Sequence, residues 1–190
     1  MEITQQMRDD AKTYPTSNCD NLQFGNLVTL LEEIKPQRAV AGRKRSKKSK
    51  VERILTKKIL NSMEGHSIFP LVRLLVPNCD RERPSYSIKE KTLANLFCEA
   101  AGLPPKSEGA IALTKFNNPQ CVPAGLSSAV GDFPGVLEGI LRTRGYSGGN
   151  LKLGDINQLL DDLAKCKDHK EKLAVIRRVY TTMSPTEIKW

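Results

Sequence analysis

Six basic side chains crowd into eight positions: Arg43, Lys44, Arg45, Lys47, Lys48 and Lys50. A run this dense repels itself and stays solvated unless it meets a polyanion. Its chemistry suits phosphate contact or a nuclear address, and a solubilising loop is the plain alternative. The run also dominates the charge of the chain. Between Lys35 and Lys58 stand eleven Lys/Arg and one acidic residue, Glu52, a net of +10. The remaining residues carry 19 basic against 20 acidic groups, or −1, which leaves the total at +9.

Chemistry of the catalytic kind is hard to find. The chain has no G-x-x-x-x-G-K-[ST] phosphate loop, no G-x-G-x-x-G, no G-x-S-x-G and no H-E-x-x-H. His66 and His169 are its two histidines, too far apart in sequence to suggest a catalytic pair. Asp161 and Asp162 are adjacent on a predicted helix, so they face different directions and read as exposed helix residues. The five cysteines, Cys19, Cys79, Cys98, Cys121 and Cys166, are odd in number, scattered, and form no C-x-x-C. They read as reduced thiols rather than a disulfide or zinc framework. We nominate no catalytic residue and no metal site. No apolar run approaches the 18 residues a membrane span needs, and the first 21 residues lack a signal-peptide core.

The elements that must position any functional side chain all read as helices. Residues 1–21 are polar and aperiodic, which predicts a disordered tail. Phe24, Leu27, Val28, Leu31 and Ile34 fall at helical spacing until Pro36. A basic linker covers 42–50, and Val51, Ile54, Leu55 and Ile59 resume the stripe up to Gly65. From Ile68 to Val76, with Pro70 in the first turn, the composition predicts a helix buried on more than one side. Ser87 and Glu90 predict a capping box for a helix carrying Leu93, Ala94, Leu96, Phe97 and Ala100, stopped by Gly102. A short helix is expected over 110–116, and one from Asp132 to about Arg142. Ile156, Leu159, Leu160 and Leu163 predict the next, with Asp155 and Gln158 as its capping box. Leu173, Ile176, Val179, Tyr180 and Met183 mark another. Ser184, Pro185 and Glu187 then open a final helix whose apolar face, Ile188 and Trp190, has barely begun. The expected fold class is all-α.

The stretch Asp80–Phe97, DRERPSYSIKEKTLANLF, resembles a segment of ATP-dependent DNA ligases of the ligase IV type. In that family an R-L-hydrophobic-hydrophobic-P run, here Arg73–Pro77, leads into D-R-E-R, a tyrosine, and hydrophobic-K-E. Asp80, Arg81, Glu82, Arg83, Tyr86, Ile88, Lys89 and Glu90 supply these. Gly131, Asp132 and Phe133 are similar to the family's G-D-F step. Leu151, Leu153, Asn157, Leu159, Leu160, Asp161 and Ala164 are similar to its L-L-D helix, and Glu187, Lys189 and Trp190 to its E-x-K-W. The matches keep order and spacing over roughly residues 24–190. Departures are the basic run itself, Lys152 where a capping threonine is usual, and the absence of the K-x-D-G lysine that accepts AMP.

The resemblance implies an irregular multi-helix DNA-binding domain over 22–190, C-terminally incomplete, with Trp190 in the core of the intact domain. It implies sequence-independent holding of duplex DNA at breaks, in non-homologous end joining, in the nucleus. It implies no ligation by this segment alone, no cofactor within it, and ATP and Mg2+ for a full-length ligase. A coiled-coil scaffold partner would engage only domains missing here. Phosphate contacts suit Arg43–Lys50, and also Arg142 and Arg144 at one helix end and Lys152 before the next. Lys165, Lys167, Lys170, Lys172, Arg177 and Arg178 form a further basic group, diluted by Asp168 and Glu171, as readily a solvated surface as a DNA face. Arg81, Glu82, Arg83, Lys89 and Glu90 read as pairing among themselves. An Artemis-like nuclease peptide is the implied partner of Phe24, Leu27, Val28 and Leu31, whose plain reading is core. A helical protein-interaction module with a nuclear address, or a non-ligase nucleic-acid-binding protein, are the alternatives.

Overall fold

The structure is a computed structural model that describes residues 19–34, 67–144 and 148–190. The polar stretch 1–18, the basic run and the stripe at Val51–Ile59 lie outside the described residues.

Among the described residues every regular element is helical, as the 3.6-residue stripes predict. In chain order they are α1 (Phe24–Ile34), α2 (Phe69–Leu75), α3 (Glu90–Ala100), α4 (Glu108–Thr114), α5 (Phe133–Arg142), α6 (Leu153–Lys165), α7 (His169–Thr182) and α8 (Pro185–Lys189). Two 3-10 turns, Pro77–Cys79 and Ala124–Ala129, join them. An isolated antiparallel bridge pairs Gln23 with Lys152.

The apolar stripes bury into two adjoining cores. One gathers Leu96 and Phe97 of α3, Leu113 of α4, Val136, Leu137 and Leu141 of α5, and Leu173 and Ile176 of α7. Phe116 meets Phe133 edge to face, ring centres 5.4 Å apart, which fastens the end of α4 to the start of α5. The other core gathers Phe24, Leu27 and Val28 of α1, Leu71 of α2, Leu153, Ile156 and Leu159 of α6, and Met183. Val175, Val179 and Ile188 touch both cores and join them.

Residues 19–21, expected to belong to the polar tail, are packed against the domain. Cys19 is fully buried, and the backbone N–H groups of Leu153 and Gly154 donate to Leu22 and Asp20 at 2.9 and 3.1 Å. A polar stretch with no period can still be ordered when its backbone is paired with another element, and periodicity does not report that.

Helix starts divide in the same way. Ser107 caps α4, Asp168 caps α7, and Ser184 and Glu187 form the predicted capping box on α8. The Ser87–Glu90 box does not form: Ser87 sits at φ 49°, and α3 begins at Glu90 after Lys89, which has no acceptor. At α6 only half a box exists. Asp155 Oδ2 accepts the Lys152 backbone N–H at 2.9 Å, and the helix starts at Leu153, ahead of the expected Asp155. Gly102, at φ 61°, ends α3 as expected.

One apolar expectation is corrected. In α2, Leu71 is buried, while Ile68, Phe69, Val72 and Val76 are exposed, so this helix buries one side and not several. Trp190, expected in the core only of the intact domain, is here 44 % exposed, and its indole N–H donates to Glu32 at 2.7 Å.

Candidate nucleic-acid interface

The three basic side chains proposed outside the run are each engaged by a different part of the domain. Arg142, at the end of α5, donates to Glu138 and to the Thr186 hydroxyl of α8, both at 2.8 Å. Glu138 also accepts from Lys189 at 2.7 Å. Burial pushes the Glu138 carboxyl upward, but hydrogen bonds from Lys189, Arg142 and Thr186 outweigh it and hold it below its ordinary value. Arg144 donates to the Ala101 carbonyl at 3.0 Å, crossing to the end of α3. Lys152 reaches Asn21 at 3.0 Å on the N-terminal turn. All three residues remain exposed. They do not gather into one cation cluster, because each first satisfies a neighbouring acceptor.

The D-R-E-R segment does something its local sequence does not announce. Arg73 of α2 donates to Asp80 at 2.7 Å and, with a second nitrogen, to Asp161 of α6 at 2.8 Å. Arg83 donates to the same Asp161 at 2.7 Å and to the Asn157 side chain at 2.9 Å. Asn157 in turn donates to the Pro70 carbonyl at 2.9 Å. Burial would raise Asp80, yet the Arg73 hydrogen bond and charge hold its carboxyl below the usual carboxylate range. The cluster ties α2 and the D-R-E-R loop to α6. It corrects the reading of Asp161 as a solvent-facing helix residue, and it gives Arg83 distant partners beside its local one, Asp80 at 3.9 Å. Arg81 and Glu82 stay exposed.

The partner-binding set lies mostly inside the fold, as its plain reading as core expects. Phe24, Leu27 and Val28 are 5, 5 and 4 % exposed and serve the second core, with Leu31 half-buried beside them. Phe24, Leu27 and Leu31 line a partly open apolar pocket of about 420 Å³, shared with Ile156, Leu159 and Val179. Among the described residues, no three His, Cys, Asp or Glu side chains group to hold a metal ion, and no helix is long and apolar enough to cross a membrane.

Sequence reasoning also missed the cap at the start of α7. Asp168 and Glu171, expected to dilute its basic residues, also cap the helix start. Asp168 Oδ1 accepts the Glu171 N–H at 2.8 Å, and Glu171 Oε2 accepts the Lys167 N–H at 2.7 Å. An Asp three residues ahead of a Glu, at the head of a periodic stretch, is the cap signal that could have shown this.

The DNA ligase N terminus family model matches residues 23–190. A DNA ligase 4 of Coprinopsis cinerea is 28 % identical over 194 residues, covering 97 % of this chain and 17 % of the relative. The Arabidopsis thaliana DNA ligase 4 is 30 % identical over 173 residues, covering 90 % of this chain and 13 % of the relative. The human DNA ligase 4 is 32 % identical over 127 residues, covering 65 % and 14 %. The chain thus spans about one-seventh of the length of these relatives. The span of the family model, 23–190, takes in all eight helices and the cluster at Asp161 that joins α2 to α6. The chain belongs to the DNA ligase N-terminus family.

Proposed function

We propose that this chain holds duplex DNA, without regard to sequence, for an ATP-dependent ligase that joins broken ends in the nucleus by non-homologous end joining. The observation that carries the reading is the family match over 23–190, with relatives named DNA ligase 4. Holding a break of any sequence requires contacts to phosphates and sugars, since base edges carry the sequence information. The basic run from Arg43 to Lys50 is built for that electrostatic task. Arg142, Arg144 and Lys152 add cations that first anchor the fold and then face solvent. The same run also serves as a nuclear address in this reading. ATP and Mg2+ belong to the whole ligase. This segment contains no K-x-D-G lysine to receive AMP, so its residues do not fit that group. A nuclease partner that docks on α1 meets Leu30 and Leu31, since Phe24, Leu27 and Val28 are buried.

The test is fluorescence anisotropy of the chain with a labelled nicked duplex at several salt concentrations. Counterion release gives a slope of log K against log salt near −0.9 per phosphate neutralised. Converting all six basic residues of the run to glutamine should reduce the slope by roughly 3–4 if about four of them engage phosphates. An unchanged slope would place the grip elsewhere. Failure of the parent chain to bind duplex would end the reading.

A further inference from the structure

The described part of the chain has a strongly basic stretch where α6 hands over to α7. Between Lys165 and Arg178 stand six basic residues against two acidic ones, a net of +4. The other described residues include 11 basic against 14 acidic ones, a net of −3. Positive charge in the folded body is therefore concentrated, not spread.

The structure aims that charge outward. Lys170, Ala174, Arg177, Arg178 and Thr181 are all exposed, and their spacing of four, seven, eight and eleven residues puts them on one face of α7. Leu173 and Ile176 hold the opposite side in the core. The two acidic residues of the stretch are occupied in capping the helix. Lys165, Lys170, Lys172 and Arg178 form no ion pair with a described side chain. The acidic group that faces the stripe is Glu99 of α3, 4.0 Å from Arg177 and 2.9 Å from the His169 ring. Between the cations the surface is low: Ala174 is a methyl, and the Thr181 hydroxyl is tied back to the Arg177 and Arg178 carbonyls.

We infer that this face of α7 is a contact surface for the phosphate backbone of duplex DNA, separate from the basic run and from Arg142, Arg144 and Lys152. The inference rests on the DNA-holding reading and says where the folded body makes its grip. Lys170 and Arg178 stand eight residues apart, about 12 Å along the helix. One strand of a duplex presents a phosphate every ~3.4 Å of its axis, so the stripe spans three to four of them. Cations on long stems around a small centre allow a strand to lie close without base-specific hydrogen bonding. The face carries no Asn or Gln that would read a base edge.

The experiment uses the whole chain, a labelled nicked duplex and a salt series, with helical circular dichroism as the folding control. The triple variant K170Q/R177Q/R178Q should keep its helicity and lower the log K–log salt slope by about 2–3. The second variant, E99Q, removes the carboxylate facing the stripe and should tighten binding by about 1.4- to 5-fold. Loss of folding could not produce that gain. A parent that binds while the triple variant keeps the parental slope overturns this surface and leaves the DNA-holding reading standing. A parent that shows no duplex binding overturns both.

Discussion

The cluster at Asp161 and the stripe on α7 are built from the same side chains and use them in opposite ways. At Asp161, Arg73 and Arg83 are 13 and 4 % exposed, and their guanidinium hydrogen bonds end on a carboxylate, an amide or a carbonyl of this chain. On α7, Arg177 is 57 % exposed, and its Glu99 contact is 4.0 Å long. An arginine withdrawn from water must be satisfied locally or it costs several kcal/mol. An exposed one loses little by waiting for a ligand, because water and salt screen it. Conserving an intramolecular join and presenting charge to a polyanion are thus separable by burial and partner count, even where the residue type is identical.

The largest expected effect lies in the buried cluster. Replacing Arg83 with alanine leaves Asp161 with one cation and strips the Asn157 amide oxygen of its donor. We expect a loss of about 3–5 kcal/mol in unfolding free energy, read by urea denaturation. A loss below about 1 kcal/mol would mean that Arg73 alone holds α2 to α6, and the contrast with α7 would shrink accordingly.

The cluster should also make the fold acid-sensitive. Asp80 is depressed in the folded state, so its contribution is present above the ordinary carboxylate value and disappears as pH falls through the lower folded value. Glu138 is depressed as well and adds in the same window. Stability measured by denaturant titration should therefore decline below about pH 4. The variant D80N should be weaker at neutral pH and show a flatter decline. Neutralising α7 should leave the pH profile as it was, since no carboxylate of the cluster contacts it.

How much of this was legible varies with the range of the interaction. The stripes of α1, α5, α6 and α7 follow from spacing alone, because one wet side and one dry side impose a 3.6-residue period. The Ser184–Glu187 box follows from a local pattern and is present. Asp161 was misread because its partners stand 78 and 88 residues away, and no local pattern encodes a pairing at that distance. Ser87 misled for the converse reason: the right residue types are in place, but the chain turns through φ 49° there and the serine points elsewhere. The exposed ridge of Phe69, Val72 and Val76 shows the same limit, since an apolar residue reports its preference and not its neighbour. The candidate site was legible as charge and illegible as geometry. Arg142, Arg144 and Lys152 were named, while their commitment to Glu138, Ala101 and Asn21 was not.

A smaller effect is expected where α8 meets the cores. The Ser184 Oγ accepts from the Glu187 N–H at 3.3 Å and donates to its carboxylate at 2.8 Å, and that carboxylate also accepts the Ser184 N–H. Substituting alanine for Ser184 should cost about 1 kcal/mol. Gly149 sharpens the point: it adopts φ 139°, and a methyl there would stand 2.7 Å from Glu187 Oε2. The variant G149A should therefore lower the thermal midpoint more than S184A does, because backbone strain is added to the disturbed carboxylate.

The smallest expected change in stability is on α7 itself, and its smallness is the point of contrast. Neutralising Lys170, Arg177 and Arg178 removes no buried contact and no cap, since Asp168 and Ser184 do the capping on either side. What is lost is the 4.0 Å approach of Arg177 to Glu99, between side chains 57 and 48 % exposed. Exposed pairs of that kind contribute about 0.2–1 kcal/mol at most. What is gained is relief of repulsion among like charges on one face, about 0.2–0.5 kcal/mol per neighbouring pair in low salt. The two terms nearly cancel, so the triple variant should unfold within about 0.5 kcal/mol of the parent. Raising the salt should narrow even that difference, because screening acts on both terms. A loss of 2 kcal/mol or more would mean that these cations support the fold as Arg83 does. Any drop in DNA affinity would then trace to a damaged helix, and the functional separation between the two regions would not stand.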